Sequence, residues 1–143
     1  MAPSMRFLSA WSIEDRYEER AMTEFYHVRL EMARAPETPA GDPGEGYDIV
    51  APLDADGRLD VEAWRAEPER AYARRFSDGA TRAKGRLRYA GGHWIVDLPG
   101  EAEDAVGYRF GDERFVVGEY VSLTQPSGEQ TTYQVTISAP LEA

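Results

Sequence analysis

The sequence contains no cysteine, which excludes disulfide bonds, thiolate nucleophiles and thiolate metal sites. It also has no apolar run near the roughly 20 residues that a membrane-spanning helix needs. The first residues hold no apolar stretch of the kind found in signal peptides. We therefore expect a cytoplasmic protein that makes no membrane contact.

Basic residues are also few relative to acidic residues. The chain has 16 basic residues against 26 acidic ones, for a formal charge of −10. Such a balance argues against a generic nucleic-acid-binding protein, because phosphate neutralisation supplies most of the affinity in that class. Half of the basic residues nevertheless fall between Arg65 and Arg88. With 143 residues, 42% of them hydrophobic, the chain has the size and composition of one globular domain spanning residues 1–143.

Patterns of apolar residues predict the elements of the N-terminal half. Ser12 is placed to cap a short helix through Ala21, and we expect residues 1–10 to be mobile. Alternation of apolar and polar residues predicts a strand over Glu24–Ala33. A Pro/Gly-rich loop follows at residues 34–46.

A second strand, Tyr47–Leu53, is predicted to end at the turn sequence Asp54–Gly57. Asp60 is then a suitable cap for a short helix around residues 60–67, which has to end before Pro68.

Two dipeptides, Asp78-Gly79 and Gly91-Gly92, have the composition of two-residue hairpin turns. The first turn places Arg75 opposite Arg82 and Tyr72 opposite Gly85, and the second places Tyr89 opposite Trp94 and Arg86 opposite Asp97. Both turns give the strand that they share one apolar and one cationic face. Inward-pointing side chains are then expected to include Tyr72, Phe76, Leu87, Tyr89, Trp94, Val96, Tyr108, Phe110 and Phe115.

The C-terminal third is predicted to hold two further hairpins. In the first, Tyr108 and Phe110 face Phe115 and Val117. The last is formed by residues 120–125 and 130–139, and its register is open, with Leu123 opposite either Thr132 or Tyr133. The whole chain then has about eight strands, which predicts a mainly β protein. We expect an antiparallel meander that forms a small barrel or a curled sandwich, because closure removes exposed strand edges.

Large aromatic side chains near one hairpin favour a binding module over an enzyme. We predict that it binds a small ligand at the barrel mouth or a protein partner on its outer face, and we expect neither a cofactor nor a metal ion. The candidate ligand-binding residues are Tyr89, His93, Trp94 and Tyr108.

Two other functions stay open, as does the oligomeric state. One is an enzyme in which His93 works with Asp97 or Glu101. The other is a protein that contacts anions or RNA through a cationic sheet face. The candidate residues of that face are Arg75, Arg82, Lys84, Arg86 and Arg88. An edge-to-edge homodimer through the strand around Tyr26 and the C-terminal strand is as compatible with the pattern as a closed monomer.

Short motifs resemble those of known families without the residues that carry their chemistry. Asp54–Asp60 resembles the middle of an EF-hand calcium loop but lacks two of the principal ligands, which predicts a plain turn. Gly92-His93-Trp94 matches the G-x-W of lipocalins, at a position too near the C-terminus for that fold. Phe115–Leu123 is similar to a strand of ferredoxin-reductase-type flavin barrels. The R-x-Y-[ST] that contacts flavin in that family is replaced by Thr131–Gln134, so no flavin is expected.

Overall fold

The computed structural model describes residues 24–98, 108–110, 113–124 and 128–141. Its elements in chain order are β1 (Phe25–Arg34), β2 (Asp42–Pro52), α1 (Val61–Ala66), a 3-10 turn (Pro68–Arg70), β3 (Tyr72–Ser77), β4 (Ala80–Ala90), β5 (His93–Asp97), β6 (Tyr108–Phe110), β7 (Tyr120–Thr124) and β8 (Gln130–Pro140). None of the helices in these ranges has the length and apolar character needed to cross a membrane. The helix predicted from Ser12 lies outside the described residues.

The eight described strands form a closed antiparallel barrel, which confirms the predicted meander. Each strand pairs with the next, and β1 also pairs with β8. Strand pairing is shortest at β6, which has three residues and pairs with β7 at two positions. Because β1 and β8 pair with each other, the two strand edges of the alternative left open above, an edge-to-edge dimer, are already occupied within the chain.

Side chains that alternate along the strands fill the interior. In β1, Val28 and Leu30 are fully buried, as the predicted alternation requires. The turn at residues 91–92 sets the predicted register between β4 and β5, with Leu87 opposite Val96. A β-barrel of this strand number is narrow enough for such side chains to fill.

The register between β3 and β4 differs from the prediction. It shifts by one residue between Arg75 and Phe76, so Arg75 lies opposite Ala83 and Tyr72 lies opposite Arg86. The shift is a β-bulge, which reverses the direction of the side chains beyond it. Arg75 consequently lies on the inner face, and Tyr72 is 42% exposed. The expectation that Tyr72 fills the interior, and that Arg75 belongs to the outer cationic face, is wrong. Phe76 is fully buried as expected, but its ring lies beside Gly46 and Arg29 on the outer face of the barrel.

The C-terminal hairpins also depart from the prediction. Leu123 pairs with Thr131, so neither of the two registers considered is correct. Phe110 pairs with Leu123 rather than facing Phe115. Phe115 is buried all the same, and its backbone N–H donates to the carbonyl of Gly57 at 2.7 Å. Five residues connect β7 to β8, and neither predicted register allowed for so long a connection.

The predicted helix at residues 60–67 is confirmed and lies at one end of the barrel. The Asp60 carboxylate accepts a hydrogen bond from the Ala63 N–H at 3.1 Å, which caps α1. From α1, the indole N–H of Trp64 donates to the Leu87 carbonyl at 3.0 Å. The side chain of Trp64 therefore fixes α1 against β4.

Candidate functional site

A cavity of about 360 Å³ opens at the end of the barrel opposite α1, where the β1–β2 and β7–β8 connections meet. We call it the mouth cavity. Its wall residues on the strands are Met32, Tyr47, Arg75, Thr131 and Tyr133. Residues of the β1–β2 connection, including Ala35 and Glu37, form part of its rim.

Two tyrosines form the aromatic part of the mouth cavity. The rings of Tyr47 and Tyr133 are buried and meet edge to face, with centroids 5.5 Å apart and planes at 76°. Met32 on β1 is the cross-strand partner of Tyr133 on β8, so the thioether of Met32 contributes to the same wall. These three side chains supply an apolar, polarisable part of a lining that is otherwise mostly polar.

Charged groups surround that apolar surface at different depths. Arg75 lies opposite Tyr47 and is half-buried, because the bulge in β4 turns it inward. One layer nearer the opening, the hydroxyl of Ser77 donates to Glu45 Oε2 at 2.5 Å. Glu37 and Glu129 are exposed at the rim. The mouth cavity therefore has a guanidinium in its wall and carboxylates around its opening.

A buried carboxylate, Asp48, lies on the outer face of the barrel between two arginines. Arg29 Nη1 donates to Asp48 Oδ2 at 3.2 Å, and Arg74 donates to the same oxygen through Nε at 3.2 Å and through Nη2. The Nε2 of His27 lies 2.7 Å from Asp48 Oδ1, and it must carry the proton because an ionised carboxylate only accepts. We call these four residues the Asp48 cluster.

Opposing effects act on the titration of Asp48. Burial raises the pKa of its carboxyl group, whereas hydrogen bonds from Arg74 and His27 lower it. The positive charges of Arg29 and Arg74 lower it further, and the resulting pKa lies below the ordinary value of 3.8. Asp48 is therefore held in its charged form, as expected for a structural counter-ion of two arginines.

Phe76 forms an apolar base for this cluster on the same outer face. Its ring is fully buried and lies against Gly46, where an added Cβ would come within 2.8 Å of the ring and 1.9 Å of the Leu30 carbonyl oxygen. The guanidinium of Arg29 lies 4.1 Å above the ring centroid. Gly46 thus makes room for Phe76, and the arginine covers it from water.

The predicted ligand-binding residues Tyr89 and Trp94 lie at the α1 end of the barrel, away from the mouth cavity. Their ring centroids are 4.9 Å apart, and Trp64 meets Trp94 edge to face at 5.9 Å. Trp94 is only 7% exposed, so Trp64 occupies the place where we expected an opening. Tyr108 pairs with Val96, and His93 is exposed next to the β4–β5 turn.

The predicted pair of His93 with Asp97 does not come together. Asp97 is four positions beyond His93 along β5, a distance of about 13 Å, and it instead accepts a hydrogen bond from Arg88 Nε at 2.9 Å. Glu101 lies outside the described residues.

Within the described ranges, a contact between a histidine and a carboxylate joins His27 to Asp48. Sequence reasoning missed it because it treated residues 34–46 as a loop. That prediction is wrong at both ends, since β1 extends to Arg34 and β2 begins at Asp42, and the register between the two strands was therefore not recognised.

The outer cationic face is smaller than predicted. Arg82, Lys84 and Arg86 are exposed along β4 and have no ionic partner among the described residues. Arg88 is neutralised by Asp97, and that contact replaces the Arg86–Asp97 ion pair that the register implied. We call the three exposed side chains the β4 stripe.

The Asp54–Gly57 segment is the plain turn that the sequence predicts. Asp54 Oδ1 accepts hydrogen bonds from the N–H groups of Asp56 and Arg58 at 2.8 and 3.0 Å, which closes the loop on itself. In the part of the chain that the structure describes, no three histidine or acidic side chains lie close enough to hold a metal ion. This turn and Val116 line a second cavity, of about 310 Å³, at the α1 end.

Comparison with known proteins gives no match to a protein-family model, to a curated protein or to a solved structure.

Proposed function

We propose that this protein is a binding module that takes a small organic molecule into the mouth cavity. The observation that carries the proposal is a cavity of about 360 Å³ with two buried tyrosine rings in its wall. Ligand sites in proteins have volumes of about 300–1,000 Å³ and combine apolar walls with a few placed polar groups. Arg75 and Thr131 supply polar groups of this kind.

The position of the cavity favours a ligand that enters from one end and stops there. Below Tyr47 and Tyr133 the barrel is filled by fully buried side chains such as Leu30, Leu87 and Val121. At the opposite end, Trp64 packs on Trp94. A ligand therefore meets a closed floor, which is suited to retention rather than to passage through the barrel.

Methyl NMR on methionine is a direct test, because Met32 lines the mouth cavity. The other three of the four methionines lie at or before residue 22. The protein is labelled with ¹³C at its methionine methyl groups and screened against a library of small aromatic and aliphatic fragments. We expect several fragments to shift the Met32 signal with saturable dose dependence.

Two matched variants locate the binding. Ala35→Trp places a large ring at the rim of the mouth cavity, and Ala55→Trp places the same ring at the second cavity. The fragment-induced shift of Met32 should disappear in Ala35→Trp and persist in Ala55→Trp. A library in which no fragment shifts Met32, or a shift that survives Ala35→Trp, would overturn the proposal.

The β4 stripe supports a second candidate function, contact with the backbone of single-stranded RNA. Arg82, Lys84 and Arg86 follow one another on the same face of one strand, and the exposed ring of Tyr72 lies opposite Arg86. Cations beside an aromatic ring are the usual elements of a single-strand binding surface. Three phosphate contacts predict a slope of about −2 for the logarithm of the binding constant against the logarithm of salt concentration.

Binding to a fluorescent oligouridine tests this second function. The double variant Arg82→Glu/Arg86→Glu should lose binding and its salt dependence. Arg65→Glu, which changes an arginine of α1 instead, serves as the control and should retain both. Equal binding by the two variants would eliminate the RNA function.

A further inference from the structure

The cationic face of β4 continues by one residue beyond the β4 stripe. Lys84, Arg86 and Arg88 share the outer face, because they alternate with inward residues such as the buried Leu87. The register shift between β3 and β4 lies at Arg82, and the pairing from Lys84 onward is regular. Alternate residues of a strand are about 6.6 Å apart, so Arg88 is the next cation in line, one step beyond Arg86.

Arg88 differs from the β4 stripe in its charge environment. Its Nε donates to Asp97 Oδ2 at 2.9 Å, and the two side chains are 39% and 28% exposed. Arg82, Lys84 and Arg86 are exposed and have no ionic partner in the described part of the chain. A phosphate that approaches Arg88 therefore meets a carboxylate at the same place, whereas the β4 stripe presents uncompensated cations.

The spacing of these cations suits the backbone of an extended single strand of RNA. Successive phosphates in such a strand are separated by about as much as alternate residues of a β-strand, so one cation meets each phosphate. Tyr72 lies opposite Arg86 and is 42% exposed, which leaves its ring open to stacking with a base beside the phosphate at Arg86. The face thus offers three phosphate contacts and one stacking contact, followed by a neutralised fourth position.

We infer that Asp97 sets the length of the RNA site, because it neutralises Arg88 and so limits the β4 stripe to three successive phosphates. Asp97 is a positioning residue that acts through Arg88 and does not touch the RNA. The inference rests on the second candidate function above. It specifies how much of the RNA strand is bound and which residue ends the site.

Oligouridines of increasing length test the inference by fluorescence anisotropy at low salt, with the fluorophore attached through a phosphate-free linker. For the wild type, affinity should rise with each phosphate up to the third, and then only with the number of ways in which the chain can be placed. The logarithm of the binding constant should fall with the logarithm of salt concentration with a slope of about −2, since each single-strand contact contributes about −0.7.

Asp97→Asn frees Arg88 for a fourth contact. An oligouridine with four phosphates should then bind about fivefold tighter than it binds the wild type, and the slope should steepen to about −2.8.

Two variants separate the effect of Arg88 from the change in net charge. Glu62→Gln also removes one carboxylate and frees its ion-pair partner Arg65, but on α1, so it should bind as the wild type does. The double variant Arg88→Gln/Asp97→Asn removes the freed guanidinium. Its slope and its length dependence should return to those of the wild type.

An unchanged slope in Asp97→Asn, or a gain that persists in the double variant, would overturn the inference while the RNA function stands. A wild-type slope near −2.8 would overturn it as well, because Arg88 would then already bind a phosphate. If the wild type binds no oligouridine, or if Arg82→Glu/Arg86→Glu binds as tightly as the wild type, the RNA function fails and the inference fails with it.

Discussion

Replacing Asp48 with asparagine removes the negative charge between two arginines and keeps the shape of the side chain. Arg29 and Arg74 would then face each other across a neutral amide, and their charges would repel. The Asp48 side chain is 10% exposed and those of the arginines are 26% and 28% exposed, so the cluster is only partly screened by water.

The magnitude follows from that degree of burial. Breaking a fully buried ion pair costs about 3–5 kcal/mol and an exposed one about 0–1 kcal/mol. Asp48 lies between these limits and accepts hydrogen bonds from three side chains, so we expect Asp48→Asn to lower the free energy of unfolding by about 2–3 kcal/mol. Urea denaturation followed by tryptophan fluorescence measures this difference.

Asp97→Asn is the matched control, because Asp97 has one arginine partner and both side chains are more exposed. It should cost less than about 1 kcal/mol. The reasoning is refuted if Asp48→Asn costs no more than Asp97→Asn.

The pH dependence of the same variant gives an independent check. The pKa of Asp48 is lower in the folded protein than its ordinary value of 3.8. A group of this kind stabilises the fold above its unfolded-state pKa, and its contribution is lost as the pH falls through the folded-state pKa. The stability difference between wild type and Asp48→Asn should therefore be constant near neutral pH and shrink below pH 3.8. A difference that grows on acidification would contradict the assignment.

The same denaturation assay tests three further changes. Phe76→Ala should cost about 3–5 kcal/mol despite the outward position of the ring, because the ring is fully buried against Gly46; a cost below about 1 kcal/mol would show that the ring is not packed. Trp64→Phe should cost about 1–2 kcal/mol through loss of the hydrogen bond to Leu87, and no loss would mean that α1 is held by apolar contact alone. Gly57→Ala should cost about 1–2 kcal/mol, since the residue has φ +85° and an added Cβ would lie 2.7 Å from a side-chain carbon, and an unchanged midpoint would contradict that packing.

Local sequence patterns predicted the structure correctly where the determining residues lie within one turn or one strand. Gly91-Gly92 defined the register of β4 and β5, and Asp60 defined the start of α1. Alternation along β1 identified Val28 and Leu30 as interior residues. In each case the determining contacts join residues that are close in sequence.

The site depended on features that have no local signal. The bulge that turns Arg75 inward follows the tight turn at Asp78-Gly79, and an unbroken hairpin fits the same residues equally well. From the sequence alone, Asp48 is one more polar residue in a predicted strand. Its contacts with Arg29 and Arg74 depend on the pairing of β1, β2 and β3. Both features arise from pairing across the barrel, which a single sequence does not display.

The central claim is that a small molecule lies in the mouth cavity, against the wall that Tyr47 and Tyr133 form at the open end of the barrel. Intermolecular NOEs from a bound fragment measure this directly. We expect NOEs to the Met32 methyl group and to both tyrosine rings. NOEs confined to the methyl groups of Val116 and Val117, at the opposite end, would contradict the account.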